Sequence, residues 1–347
     1  MKNKTLVVGP GRKTRGGITS VINSYTRQSF WKTFNCIWIE TYIDKGSFYK
    51  IFFFMRALLR FIINLSGADI VHIHLSGKTS AFRKNIFLRI AKLFRKKVIL
   101  HFHAFSSEKT LFGSKKKLYQ KMFEKADCII ALSGFWKSQI AKIISNPEMI
   151  YVVYNPCDSK KRLPQIEKQS VILYAGTLNQ RKGYVDLINA FSQIAHKYPD
   201  WKIVFAGNGE IEKGQMISKE LNIEKQVDFK GWVAGKEKEE LFSGASIFCL
   251  PSYAEGFPMA ILDAWTYELP VITTPVGGLP DILINGENAM VFIPGDTAGL
   301  TDNLEKLITS GPLRDKLREA SLNLKNNQFN IKTISGQITD IYREIAS

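Results

Sequence analysis

Twelve short apolar runs, distributed along all 347 residues, limit what this chain can fold into. In the first half they are TLVVG (5–9), CIWIE (36–40), IVHIH (70–74), VILHFH (98–103), CIIAL (128–132) and IYVVY (150–154). In the second half they are VILYAG (171–176), KIVFAG (202–207), VDFKG (227–231), IFCL (247–250), PVITT (270–274) and VFI (291–293). The runs have strand length and are separated by stretches of helical character. Near-continuous Val, Ile, Leu and Phe indicate strands covered on both faces, hence parallel sheets wrapped by helices. The pattern restarts after NPCDSKKRLPQIEKQS (155–170), a polar, Pro-containing segment suited to a linker. The chain therefore reads as α/β, with two doubly wound domains at 1–160 and 161–347 and the last helix packing back on the first. Ligands are expected at the carboxyl ends of the strands and in the cleft between domains.

Charge separates the two halves. Residues 1–160 hold 28 Lys and Arg against 8 Asp and Glu, and the remainder hold 20 against 23, within a net charge of +17. Such asymmetry implies different partners for the two domains. The four cysteines form no C-x-x-C pair, which points to a reducing compartment and no structural zinc. MKNK leads directly into the first strand, so no signal peptide is expected, and no run of about 18 uncharged apolar residues marks a spanning helix. A cytoplasmic location is expected.

Chemistry concentrates after strands of the second half. In PSYAEGFPMAILDAW (251–265), Glu255 stands in a Gly/Pro turn and Asp263 in the second turn of the helix behind it, with Pro258 suited to that helix's first turn. After VILYAG, Arg181 and Lys182 precede a helix starting near Tyr184, where free amides and the helix dipole favour phosphate. AGNGE places Gly207, Asn208 and Gly209 after another strand, where the glycines allow a ligand close to the backbone. Near the N-terminus, Gly16 and Gly17 form a turn ahead of ITSVINSY. That loop is neither a Walker motif nor G-x-G-x-x-G, because Gly17 stands where the Walker Lys would and Thr14 where the third glycine would.

The order Gly-Gly, strand-end His, G-T-L-x-x-R-K-G, G-x-G-E and P-S-x-x-E-G-F-P-x-x-x-L-D-A, followed by PVITTPVGGLPDIL (270–283), resembles the retaining glycosyltransferases of family 4, the glycosyl transferases of group 1. The resemblance covers roughly residues 9–293 and is most specific in the second half. It implies the GT-B fold, two Rossmann-like domains facing each other across a cleft. It also implies transfer of a sugar from a nucleotide-sugar donor with retention at the anomeric carbon. Glu255 would then contact the donor sugar's hydroxyls, supported by the backbone around Gly256, Phe257 and Pro258. Arg181 and Lys182 would hold the diphosphate as charge builds on it, and Asp263 would accept from the ribose. Gly16, Gly17, Gly207, Asn208 and Gly209 belong to the donor site on this reading, and base contacts fall near Trp232 and Val233. The family's second acid is Glu; Asp263 is shorter by one carbon–carbon bond, about 1.5 Å. Trp265 and Glu268 are further departures. No D-x-D occurs, so Arg181 and Lys182 are expected to do the work of a divalent metal, with no metal and no other cofactor. Retention without a carboxylate nucleophile fits the family's front-face route.

Four of the five histidines fall in two runs, His72 with His74 and His101 with His103. Residues two apart on a strand share a face, so each run stacks two imidazoles. His103 matches the family's histidine near the reacting sugar, His74 is assigned to the acceptor side, and His72 and His101 are read as core residues bonded to backbone. A four-His metal site lacks nearby carboxylate partners.

The basic half contains RKNIFLRIAKLFRKK (83–97), KKKLYQK (115–121) and FYKIFFFMRALLRFIINL (48–65), where Arg56, Arg60 and Asn64 form one polar stripe. One reading is a helix packed in the domain core with solvated charges outside. The other is attachment to an anionic membrane at the inner face of the cell, suited to a lipid-linked or saccharide acceptor in cell-surface polysaccharide assembly. Three rival functions differ by visible features. A nucleotide-sugar epimerase would need further carboxylates in the cleft. A non-catalytic nucleotide-sugar binder would follow from the change at Asp263. A nucleic-acid binder would use Phe82, Phe87 and Phe94, but these sit at helical core spacing and no such motif is present, so no nucleic-acid partner is expected.

Overall fold

In the computed structural model, which describes residues 4–44, 46–159 and 162–346, all twelve apolar runs become strands. β1 (Thr5–Gly9), β2 (Ile37–Glu40), β3 (Ile70–Leu75), β4 (Lys97–Phe102), β5 (Cys128–Ala131) and β6 (Ile150–Val152) form one sheet in the order β2-β1-β3-β4-β5-β6. β7 (Val171–Ala175), β8 (Lys202–Ala206), β9 (Val227–Gly231), β10 (Ile247–Leu250), β11 (Val271–Thr273) and β12 (Met290–Val291) form the other, in the order β12-β11-β10-β7-β8-β9. Every strand pair is parallel. The strand order reverses between β1 and β3 in the first sheet and between β7 and β10 in the second. At such points the loops leaving adjacent strands diverge and open a crevice.

The chain divides into two compact units, Met1–Pro156 with Ile331–Ser347, and Cys157–Asn330. Lys160 and Lys161, at the expected boundary, lie outside the described residues. Within the first unit, the helix Ile331–Ala346 brings Tyr342 edge-on to Phe30 and Phe34 and sets its hydroxyl 2.7 Å from His72 Nδ1.

The helix Ser47–Leu65 departs from the core-packed reading. Of its 19 residues, Ala57, Phe61 and Leu65 form a buried seam at i, i+4, i+8 toward β1, β2 and the helix Lys78–Leu93. Phe48, Ile51, Phe52, Met55, Leu59, Ile62 and Ile63 are all exposed. A helix on the outer side of a sheet can bury only the stripe that faces the sheet, so an all-round apolar sequence leaves the rest uncovered. In the next helix Phe87 is buried, whereas Phe82 is exposed, as is Phe94 at the helix end. Among the described residues no helix is long and apolar enough to cross a membrane.

The glycines of AGNGE have a packing role that their spacing did not reveal. The loop leaving β7 crosses the loop leaving β8, with Leu178 N–H donating to the Asn208 carbonyl at 2.8 Å and Glu210 N–H to the Leu178 carbonyl at 3.0 Å. A Cβ on Gly207 would lie 1.8 Å from the Gly176 carbonyl oxygen. The backbone that approaches Gly207 closely is therefore the neighbouring loop. Gly207→Ala should destabilise the ligand-free protein by about 1–3 kcal/mol, as overpacked sites do. This is read as a lower urea midpoint; an unchanged midpoint would overturn the packing account.

Candidate functional site

In the second unit, the reversal between β7 and β10 gathers the chain's most specific residues. After β7, Asn179 accepts the Lys182 N–H at 3.2 Å and caps a 3-10 turn, Gln180–Lys182. Gly183 follows in the left-handed region, φ 67°, and a Cβ there would lie 1.9 Å from the Pro251 carbonyl oxygen. Only glycine lets the turn sit this close to the end of β10. The two loops are joined by Tyr253 N–H donating to the Arg181 carbonyl at 2.8 Å and by Arg181 Nη1 donating to the Ala254 carbonyl at 2.6 Å.

Glu255 sits within this junction at 6% exposure. Its Oε1 accepts from Lys182 Nζ at 2.5 Å and from Ser252 Oγ at 2.7 Å, and its Oε2 lies 3.6 Å from Arg181 Nη1. Two cations and a hydroxyl thus replace the water that a carboxylate loses on burial. The cluster keeps one positive charge in excess, at the end of a parallel strand and ahead of the helix Tyr184–Ser192. Such an arrangement can hold a phosphate and orient a polyol at once. Gly256 supports the loop through its carbonyl, which accepts from Gly278 N–H at 2.9 Å, and Phe257 packs on Phe329.

Asp263 lies on the helix Met259–Thr266, for which Pro258 is the cap, one position outside the expected first turn. Its Oδ2 pairs with Lys238 Nζ at 2.7 Å. Lys238 lies in the charge-rich segment GKEKEE, residues 235–240. Val233 is buried and Trp232 beside it is exposed. Gly207, Asn208 and Gly209 form the loop crossing described above. Arg181, Lys182 and Glu255 are thus brought into one cluster, with Asp263 on the following helix.

His103, His74, Gly16 and Gly17 belong to the first unit. The two histidine runs face each other across β3 and β4, with His74 registered opposite His101. The rings of His72 and His74 stack at 4.6 Å, and those of His74 and His103 at 5.1 Å. His74 Nδ1 lies 2.9 Å from His103 Nε2, and His72 Nε2 lies 3.3 Å from His101 Nδ1. His72 and His101 are core residues, but they bond to each other and to Tyr342 rather than to backbone. Nitrogens of His72, His74 and His101 come within 4.8 Å of one another, and no carboxylate belongs to the group. Gly16 and Gly17 line a cavity at the reversal between β1 and β3.

Residues 158–324 match the family described as glycosyl transferases group 1, and residues 35–161 match glycosyltransferase family 4. The chain belongs to the group 1 glycosyltransferases. It is 30% identical over 222 residues to the lipopolysaccharide 1,6-galactosyltransferase of Salmonella typhimurium, a match covering 62% of this chain and 61% of that one. It is 25% identical to the N-acetyl-alpha-D-glucosaminyl L-malate synthase of Bacillus anthracis, covering 80% and 75%. Anabaena HepE, solved in complex with UDP-glucose, shares the fold at a TM-score of 0.79 with 17% identity, covering 98% of this chain and 99% of that one. The fold is therefore GT-B. The match spans less than two thirds of the length of the galactosyltransferase.

Two cations of this group 1 glycosyltransferase escaped the reading of its sequence. Lys238 was hidden by its charged neighbours. Lys84 stands within the basic run 83–97, whose charges both readings of the basic half place outside the core, yet it is 2% exposed. Its signal is positional, since Ala81, Lys84, Phe87, Leu88 and Ala91 share the buried face of one helix.

Burial holds all four imidazoles of the cluster neutral: His72 and His103 are pushed down to about 3, and His74 and His101 well below the ordinary 6.5. The unfolded chain takes up protons as pH falls through 6.5, and the folded chain does so only well below it. Stability is therefore full above 6.5 and lost as pH falls below it. Between pH 7 and 5.5 the expected loss is about 1 kcal/mol per imidazole. Urea midpoints across that window measure it, and a flat profile would contradict neutral, buried rings.

Proposed function

We propose that this protein is a retaining glycosyltransferase that moves a sugar from a nucleotide-sugar donor to a saccharide or lipid-linked acceptor in cell-surface polysaccharide assembly, at the cytoplasmic side of the membrane. The observation that carries this reading is the buried cluster of Glu255 with Arg181, Lys182 and Ser252 at the strand reversal of the second unit. The bond between the donor's anomeric carbon and its diphosphate oxygen breaks, and a bond from that carbon to an acceptor hydroxyl oxygen forms on the same face. The hydroxyl's proton passes to the departing diphosphate. Arg181 and Lys182 stabilise the charge gathering on the diphosphate, the role preorganised cations fill where negative charge develops. Glu255 holds the sugar's hydroxyls, and Asp263, steadied by Lys238, accepts from the ribose. The two cations take the place of a divalent metal. His103, neutral and bonded to His74, is offered to the donor sugar. The lipopolysaccharide galactosyltransferase among the relatives favours polysaccharide assembly over other uses of a sugar nucleotide.

Calorimetric titration with UDP, GDP, dTDP and ADP, with and without Mg²⁺, tests the donor site. One nucleotide should bind without metal. Arg181→Ala/Lys182→Ala should weaken it by about tenfold or more, since each charge-assisted bond is worth about 1.5–3 kcal/mol. A folded protein that binds none of the four sinks the transferase reading.

The partner surface we propose for the first unit is an anionic bilayer face. Support comes from the exposed apolar side of the helix Ser47–Leu65, which carries Arg56 and Arg60 exposed among Ile51, Phe52, Met55, Leu59, Ile62 and Ile63. Apolar side chains enter the interface while each nearby cation adds about 1 kcal/mol against anionic lipid. The protein should float with anionic liposomes at low salt and less so at high salt. Phe52→Asp/Leu59→Asp should remain in the dense fraction. Absence of flotation of the unaltered protein at low salt would remove this partner.

A further inference from the structure

The cavity at the reversal between β1 and β3 lies wholly within the first unit and measures about 360 Å³. None of its lining residues is acidic, whereas Arg15, Arg83 and Lys84 all line it. Lys84 is 2% exposed, and its Nζ donates to Thr41 Oγ1 at 2.8 Å. An ammonium carries three donors, and a buried one is ordinarily matched by a carboxylate. Thr41 supplies no charge, since its own hydroxyl donates to the Gly9 carbonyl at 2.8 Å. Burial, with Arg83 alongside, pushes Lys84 well below the usual lysine range, a penalty that a bound anion would relieve.

Two further side chains at the same cavity are incompletely matched. His74 is 0% exposed, and among the described residues its Nε2 has no hydrogen-bond partner; Arg83 Nε, also buried, has none among them either. The Arg83 guanidinium rests over the Tyr42 ring at 4.6 Å. Two helices also begin at the cavity, Gly17–Tyr25 and Lys78–Leu93. Neither has a side-chain cap or an acidic residue in its first turn. Their amide ends therefore add to the positive potential. The nearby carboxylates are engaged by other groups: Glu40 accepts from Arg12 N–H and pairs with the Arg12 guanidinium at 3.7 Å, and Asp44 accepts from Arg15 N–H and from the Tyr42 hydroxyl.

We propose that this cavity binds an oxyanion, phosphate or carboxylate, carried by the acceptor, so that the acceptor is an acidic molecule rather than a neutral glycan. The inference rests on the transferase reading for the word acceptor, but the anion site stands on the first unit alone. Lys84 and Arg83 neutralise the group, the two helix ends donate to it, and His74 Nε2 completes the polar wall. Gly16 and Gly17, expected at the donor, serve here by opening the backbone at the start of the helix Gly17–Tyr25.

The test is calorimetric binding of inorganic phosphate and of succinate to the full chain, to Lys84→Met and to Arg83→Gln, with the nucleotide that binds the second unit titrated in parallel. At least one anion should bind the unaltered protein. Both variants should weaken it by about tenfold or more, the loss expected of a charge-assisted bond. Nucleotide affinity should stay within about twofold, less than a single hydrogen bond would change it. Preference for phosphate identifies a phosphorylated acceptor, and preference for succinate a carboxylated one; either supports the proposal. Binding of neither anion, with nucleotide bound normally, overturns the proposal and leaves the transferase reading intact. Parallel loss of nucleotide in both variants overturns it differently, assigning the cavity to the donor's diphosphate. Arg83→Gln, at a half-buried position, keeps the test decisive should Lys84→Met fail to fold.

Discussion

A carboxylate leaves water only when other groups satisfy its oxygens, and in the second unit those groups are Arg181, Lys182 and Ser252 around Glu255. Much of the local architecture follows from this requirement. The cations must arrive from the loop after β7 and the acid from the loop after β10, so the two strands must be neighbours and their loops must touch. Adjacent parallel strands satisfy the first condition, and Gly183, with no Cβ to strike the Pro251 carbonyl, satisfies the second. Gly277 repeats the device on the other side, where a Cβ would meet the Glu255 carbonyl at 2.0 Å. The glycines around the acid are thus conditions for bringing charge together.

The pairing also bears on how a donor would be held. Arg181 and Lys182 are already committed to Glu255, so an incoming diphosphate must share them with it. Sharing keeps the cations fixed in space and lowers the reorganisation needed when charge moves to the leaving group. It also means that ground-state attraction is tempered by the resident carboxylate. A cluster of this kind favours the state in which most negative charge has accumulated, as differential binding requires.

The twelve strands were legible because a strand buried on both faces must be written in apolar residues, and that constraint is local. Arg181, Lys182 and Glu255 were legible because their loops carry the glycines and prolines that this geometry needs. Burial of charged residues was harder to read. Lys84 looks like any other member of RKNIFLRIAKLFRKK until the helix is turned so that Phe87, Leu88 and Ala91 face inward. Lys238 joins Asp263 only through the packing of two helices distant in sequence. The helix Ser47–Leu65 misled in the opposite direction. Its composition implies a core, yet Ala57, Phe61 and Leu65 are the residues it buries, because how much of a helix is covered depends on its neighbours. The histidines fell between these cases: the strand period predicts their stacking, whereas their partner Tyr342 comes from 270 residues away.

The two strand reversals therefore solve the same geometrical problem with opposite electrostatics. Each opens a crevice between diverging loops, and each draws cations into it. At the reversal in the second unit Glu255 offsets one of the two positive charges in advance. At the reversal in the first unit Lys84 is buried against a hydroxyl and, among the described residues, His74 Nε2 has no partner and two helix ends carry no side-chain cap. Burying a cation against a neutral partner costs stability, and none of the described residues lining the pocket is acidic. An anionic ligand would restore that balance, and selection by charge would then precede any contact with the rest of such a ligand.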